Sequence, residues 1–294
     1  MNQDIINFVQ SCPTCIVHRP SNPKEPLMPH PQPSLPWETI GADLLDYKGQ
    51  KYIIVEDYYS NYIEESPLHS TNASSVIKIL KSTFARHGIP IKIVSDNGPP
   101  FDSKAFKDFA ENWDIKHVTS SPHYPRSNGL VESGVKIFKR ILSKSEMSGT
   151  DPYLALLQYR TTSRGNLESP AKLLMSRSLR TLLPSSKVNL IPKTVRFNLH
   201  HHNKMRNQET MKRHFDKKSQ SRSILKPGTS VFFKEDPKFM WSIGEILSKY
   251  PQPRSYSIQT PDNVVYRRNR QHILSTPNVP VKPIIPNLPN KAVP

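Results

Sequence analysis

The sequence predicts a mixed α/β domain followed by a small all-β module, and three observations carry that expectation. The first apolar runs follow one another in hairpin-like succession. Later runs alternate with segments of helical spacing, and after Gly228 only short strand-like runs with turn signals remain. Paired strands that give way to strand–helix alternation build a mixed sheet covered by helices. The 294 residues hold one sizeable domain plus one or two small ones.

In chain order, residues 1–19 read as a short helix ending in Cys12-Pro13-Thr14-Cys15. Residues 20–36 carry Pro20, Pro23, Pro26, Pro29, Pro31, Pro33 and Pro36, the composition of an extended, semi-rigid linker. Strands are expected at 39–45, 51–56 and 61–66, the last after a Tyr58-Tyr59-Ser60 turn. Residues 71–87 place Val76, Leu80 and Phe84 at i, i+4 and i+8, and Gly88-Ile89-Pro90 stops that helix. A strand at 91–95, a helix at 103–113 and a strand at 116–119 follow.

Residues 122–128 form a loop. The next helix, 129–147, has an apolar stripe at Val131, Val135, Phe138 and Leu142. Glu132, Lys136 and Lys139 share another face of it. Gly134, inside that helix, costs about 1 kcal/mol relative to alanine, and marks either drift in a copy no longer under use or close packing. Further helices are expected at 151–161 and 169–175, closing a core at 37–190. Residues 191–226 form a basic connecting stretch, in which 194 to about 222 read as a basic helix or linker and the His200-His201-His202 run as polar surface. Four short strand runs make 227–275 a small antiparallel barrel. Six prolines after residue 276 make 276–294 a disordered tail.

Net charge is +17, and residues 191–275 alone hold 17 Lys and Arg against 6 Asp and Glu. A basic excess of this size suits a polyanionic partner through phosphate neutralisation, or else a solubilising surface. The two cysteines exclude a disulfide framework, and no run of about 18 apolar residues spans a membrane. The chain opens on Met1-Asn2-Gln3-Asp4 as if cut from something longer, with no secretory pattern. The expected setting is intracellular.

Three carboxylates stand where charge is seldom decorative. Asp43 interrupts the apolar run Ile40-Gly41-Ala42-Asp43-Leu44-Leu45. Asp96 follows a β-branched strand and opens an Asp-Asn-Gly turn, and Glu132 comes early in its helix. Converging carboxylates need a cation to offset their repulsion, and hard Mg²⁺ or Mn²⁺ suits oxygen donors. Two such ions could clamp an in-line displacement at phosphorus. Spacing alone is weak evidence, because 24 acidic residues give many such triads by chance.

The flanking words add more. Ser95-Asp96-Asn97-Gly98-Pro99-Pro100-Phe101 and Ser121-Pro122-His123-Tyr124-Pro125-Arg126-Ser127-Asn128-Gly129-Leu130-Val131-Glu132 closely resemble the core of retroviral and gypsy-type retrotransposon integrases. Trp37-Glu38-Thr39-Ile40-Gly41-Ala42-Asp43 resembles that family's first catalytic strand. His87-Gly88-Ile89-Pro90, Tyr159-Arg160-Thr161-Thr162 and Ser169-Pro170-Ala171 resemble its later landmarks. Pro253-Arg254-Ser255-Tyr256 and Tyr266-Arg267-Arg268-Asn269-Arg270 resemble its carboxyl-terminal DNA-binding barrel.

The resemblance implies an RNase H-like catalytic fold and a Src-homology-3-like barrel. It implies that Asp43, Asp96 and Glu132 hold two Mg²⁺ or Mn²⁺ ions for polynucleotidyl transfer, joining element 3′ ends to target DNA. It gives Lys136 and Lys139 to DNA ends, and Tyr124 and Asn128 to a loop beside the site. Arg254, Arg267, Arg268 and Arg270 would meet duplex DNA from the barrel. A homo-multimer in the nucleus, away from membranes, is the implied assembly.

One part of the pattern fails. Cys12 and Cys15 are half of a zinc site, yet no histidine precedes them to complete it, so Zn²⁺ is not expected and the segment reads as a remnant. The competing possibilities are a decayed or domesticated integrase derivative that only binds DNA, and an RNase H-like nuclease acting on RNA–DNA hybrids.

Overall fold

The computed structural model describes residues 2–119, 129–236 and 240–275. The chain opens with two short helices, α1 (Asn2–Ser11) and α2 (Pro13–Val17). It divides into two compact units, one lying between Leu27 and Phe215, the other combining the first 26 residues with those from Asp216 onward.

The first unit is built on a five-stranded mixed sheet. Strands β1 (Thr39–Tyr47), β2 (Gln50–Asp57) and β3 (Ile63–Leu68) form an antiparallel meander. Strands β4 (Lys92–Ser95) and β5 (Lys116–Thr119) add in parallel beside β1, giving the order β3-β2-β1-β4-β5. Strand alternation assigns the two faces. Ile40, Ala42, Ile53, Val55 and Ile93 pack under helices α3 (Ala73–His87) and α4 (Lys104–Asn112), against Val76, Leu80, Phe84, Phe106 and Phe109. On the opposite face Leu45 and Ile54 lie under α5 (Gly129–Ser148) and α6 (Pro152–Thr161), against Val131, Phe138, Leu142 and Leu156. Each buried Val, Leu, Ile or Phe among them contributes about 1.5–3 kcal/mol by burial.

Local chemistry sets the element ends. Asn72 accepts from the Ser75 amide at 2.9 Å and caps α3, which stops at Gly88 with φ 94°. After β2 the chain turns around Asp57, which is fully buried. It accepts from the amides of Trp37, Tyr59 and Ser60 and from the Ser60 hydroxyl. The landmark Arg160 is structural: it donates twice to the Ile63 carbonyl and pairs with Glu64 at 3.2 Å.

Two expectations are sharpened. Beyond α7 (Pro170–Met175) and α8 (Lys187–Leu190), the stretch expected as a basic helix or linker holds a 20-residue helix, α9 (Phe197–Asp216), that belongs to the first unit up to Phe215. Lys204 is buried, and its ammonium donates to the carbonyls of Tyr58 and Tyr59. The buried His200 donates to Tyr59 O at 3.2 Å. A helix with no strong apolar stripe is thus held by polar side chains that satisfy a turn. The proline-rich stretch is extended, as expected, but it is packed. Asn22 donates to the carbonyls of Gln271 and Ile273 in one unit, and Lys212 and Gln208 hold the carbonyls of Leu27 and His30 in the other.

The second unit is all-antiparallel: β6 (Ser230–Lys234), β7 (Trp241–Lys249), β8 (Ser255–Gln259), β9 (Val265–Asn269) and β10 (Ile273–Leu274), in the order β10-β6-β7-β8-β9. Its core is Leu225, Val231, Phe233, Ile246, Tyr256, Ile258 and Ile273. Ile16 of α2 joins Phe232, Trp241 and Leu274 beside it. Among the described residues no helix is long and apolar enough to cross a membrane. The expected tail, 276–294, lies outside the described residues.

Candidate active site

Asp43 lies in the middle of β1, on the α5 face, two residues along from Gly41. A Cβ on Gly41 would stand 2.8 Å from the Val131 Cβ and 3.1 Å from the Tyr58 ring, so α5 rests directly on the strand there. Gly134 makes the second close approach, since any Cβ there would collide with Oε2 of Glu56 on β2. These two glycines seat the first turns of α5 on the sheet, which brings Glu132 towards Asp43. The helical cost of Gly134 is thereby explained by packing.

Asp96 sits one residue beyond the end of β4, at the carboxyl edge of the sheet. Its Oδ1 accepts from the Gly98 amide at 3.3 Å. Oδ1 of Asp43 accepts from the Leu44 amide at 2.8 Å.

The three carboxylates feel one another. Burial pushes the Asp43 carboxyl up to about 6; the Leu44 amide opposes this, and the charges of Asp96 and Glu132 add to it. Burial also raises Glu132, with Lys136 one turn on opposing and Asp96 adding. Repulsion of this kind is what a cation relieves. Among the described residues no three His, Cys, Asp or Glu side chains already stand as a closed cation cage. The donors nevertheless fit Mg²⁺ or Mn²⁺ in kind, being oxygen-only carboxylates that repel one another.

The other expected residues divide. Lys136 and Lys139 are exposed on α5, on the Glu132 side. Tyr124 and Asn128 lie outside the described residues. In the β domain the structure corrects two arginines. Arg268 and Arg270 are only 6% and 4% exposed. Arg268 donates to the carbonyls of Lys234, Arg267 and Glu235, and Arg270 to those of Ser223 and Ile273. These bonds tie strands and loops of the β domain together. Arg254 is tied to Glu25 at 3.5 Å and to the Pro26 carbonyl at 2.7 Å. Arg267 donates to Ser255 Oγ at 3.0 Å, with its guanidinium 4.7 Å from the Tyr250 ring centroid. Cys12 and Cys15 are free thiols in contact with each other, and among the described residues no further ligand gathers around them.

Sequence reasoning missed two groups near the triad. Glu56 is fully buried opposite Gly134, and burial raises its carboxyl to about 8, with the Asn61 side chain at 3.1 Å opposing. Gly134 was the sequence signal that could have found it. Ser95 and His117 form a hydrogen-bonded pair at 2.8 Å behind Asp96, and no sequence signal marked it.

Residues 40–125 match the integrase core domain family, a span that includes Asp43 and Asp96 and stops short of Glu132. An uncharacterised protein of Caenorhabditis elegans is 32% identical over 220 residues, covering 70% of this chain and 17% of that protein. The Gag-Pro-Pol polyprotein of Mason-Pfizer monkey virus is 30% identical over 145 residues, covering 47% of this chain and 8% of the polyprotein. The chain therefore spans a small part of the curated relatives it matches. A chain in the cryo-EM structure of a simian T-cell lymphotropic virus intasome, bound to the PP2A regulatory subunit B56 gamma, shares the fold. The TM-score is 0.62 at 18% identity, over 94% of this chain and 91% of that one.

Proposed function

We propose that this chain, which carries an integrase core domain over residues 40–125, joins 3′ ends of a retroelement DNA to target DNA by polynucleotidyl transfer. One observation carries the proposal: Asp43, Asp96 and Glu132 lie in a single electrostatic field, with Asp43 raised by burial and by both partners. Asp43, Asp96 and Glu132 would hold two Mg²⁺ or Mn²⁺ ions, which when bound would polarise the scissile phosphate and activate the attacking oxygen. The chain's own contribution is to keep three carboxylates convergent on a rigid sheet and helix, and to present Lys136 and Lys139 to backbone phosphates beside them. Duplex DNA is the proposed partner, a homo-multimer the proposed working form, and the nucleus the proposed place of action.

The test is joining of oligonucleotide duplexes with Mg²⁺ or Mn²⁺. Asp96→Asn and Glu132→Gln should each lower joining by at least roughly 100-fold while leaving DNA binding nearly intact. Undiminished joining by either variant overturns the assignment. Binding without joining by the unaltered chain would make it a DNA-binding derivative, and cleavage of an RNA–DNA hybrid alone would make it a nuclease.

A further inference from the structure

We propose that Ser95 and His117 are positioning residues that fix the main chain of Asp96 for cation binding. The inference rests on taking the carboxylate triad as a divalent-cation site. The β4–β5 ladder runs from Lys92 opposite Lys116 to Ser95 opposite Thr119, so Asp96 is the first residue past its end. Its carbonyl no longer belongs to the sheet. Ser95 supplies the missing partner: its fully buried Oγ lies 2.8 Å from the Asp96 carbonyl and 2.8 Å from Nε2 of His117.

A hydroxyl has one proton to give. Both contacts are hydrogen bonds in one arrangement only: Ser95 Oγ–H donates to the Asp96 carbonyl, and His117 Nε2–H donates to Ser95 Oγ. The opposite assignment would turn the hydroxyl proton towards the ring and leave the carbonyl facing a lone pair. His117 therefore decides which way the Ser95 proton points. The ring is itself oriented by Phe106 of α4, at 4.8 Å between centroids and 59° between planes. A connected path thus runs from the helix core through His117 and Ser95 to the main chain of Asp96. Imidazole and imidazolium both keep Nε2–H in this tautomer, so the device does not depend on the charge of the ring.

Main-chain placement matters for Asp96, which lies one residue past the end of its strand. Among the described residues the Asp96 carboxylate has one hydrogen bond, the 3.3 Å contact from Gly98. Mg²⁺ tolerates little error in ligand geometry, with oxygens at roughly 2.0–2.1 Å. Groups that hold a metal ligand in place typically affect metal affinity by about 10–100-fold when lost.

The experiment uses the full chain and Mn²⁺, titrated by electron paramagnetic resonance without DNA. It compares the unaltered protein with His117→Leu, His117→Gln, Ser95→Ala and Asp96→Asn. The Asp96 variant marks the signal that belongs to the triad. His117→Leu and Ser95→Ala should weaken that signal's affinity by about tenfold. His117→Gln, whose amide can still donate to Ser95 Oγ, should stay within about twofold. In joining assays His117→Leu should need more Mn²⁺ for half-maximal rate and recover its kcat at saturation. Melting temperatures are measured alongside.

Unchanged Mn²⁺ affinity in His117→Leu overturns the proposal. So does a glutamine variant as weak as the leucine one, or a loss of kcat at saturating Mn²⁺ that tracks a fall in melting temperature. If the unaltered chain binds Mn²⁺ through Asp96 but joins no DNA, the joining function fails while the affinity comparison still decides the positioning role. If no Mn²⁺ signal depends on Asp96, the positioning role falls with the cation site.

Discussion

Asp43 in the mixed sheet and Arg270 in the β domain are both ionisable groups largely withdrawn from water, but their surroundings differ. Arg270 gives donors to the carbonyls of Ser223 and Ile273, and Arg268 does the same with three carbonyls. Asp43 accepts one amide and faces two other carboxylates. A buried charge whose hydrogen bonds are complete serves architecture. One left among like charges is held in an unfavourable state that a ligand can relieve, which is why such groups gather at functional sites. The most basic segment of this chain is therefore a poorer guide to its chemistry than three acids outside it.

The sharpest way to separate the two regions is substitution of Asp43 by asparagine. Joining should fall at least roughly 100-fold, with no loss of folding stability, because repulsion is removed. The pH dependence checks the same point. The folded carboxyl is raised from 3.8 to about 6, so its favourable contribution is complete below the unfolded value and is lost as pH rises through about 6. Chemical denaturation of the cation-free chain should show stability falling across that window, and the asparagine variant should not. A stability loss at neutral pH in the variant would erase the contrast.

Arg270→Met should do the reverse. Two buried carbonyls lose a charged donor, which costs about 2–4 kcal/mol in the β domain by denaturant titration, while joining per folded molecule holds. Retained stability with weakened DNA binding would return Arg270 to the DNA-contact role that the sequence suggested. A smaller effect belongs to Gly134→Ala. The collision with Glu56 should cost about 1–3 kcal/mol and outweigh the gain of about 1 kcal/mol in helix propensity. A more stable alanine variant would show that α5 has slack above the sheet.

Much of the sheet was legible because β-branched runs with turn signals mark strands, and β5 falls on the expected residues. The three acids were singled out by their flanking words, since spacing alone does not set them apart from the chain's other carboxylates. The direction of the arginines was not read, although it could have been. Arg267 and Arg268 are consecutive in a strand, so at most one can face outward. Helix α9 was open as a basic helix or linker, but its docking was hidden for a different reason. Its contacts to the sheet unit come from His200 and Lys204 reaching carbonyls of a turn, and no hydrophobic period records a polar helix docked in that way. Glu56 escaped because the helix glycine that signals a close approach, Gly134, does not name the strand residue beneath it.

The docking of α9 bears on where this chain can be cut. A fragment of the sheet unit ending near residue 190, the edge of the expected core, would discard Lys204 and His200. The Tyr58 carbonyl would lose its ammonium donor, and the Tyr59 carbonyl both of its side-chain donors. It would also strip a cation from the field of Glu56 and Asp57. The natural terminus for an isolated fragment of the sheet unit is the end of α9, after Asp216.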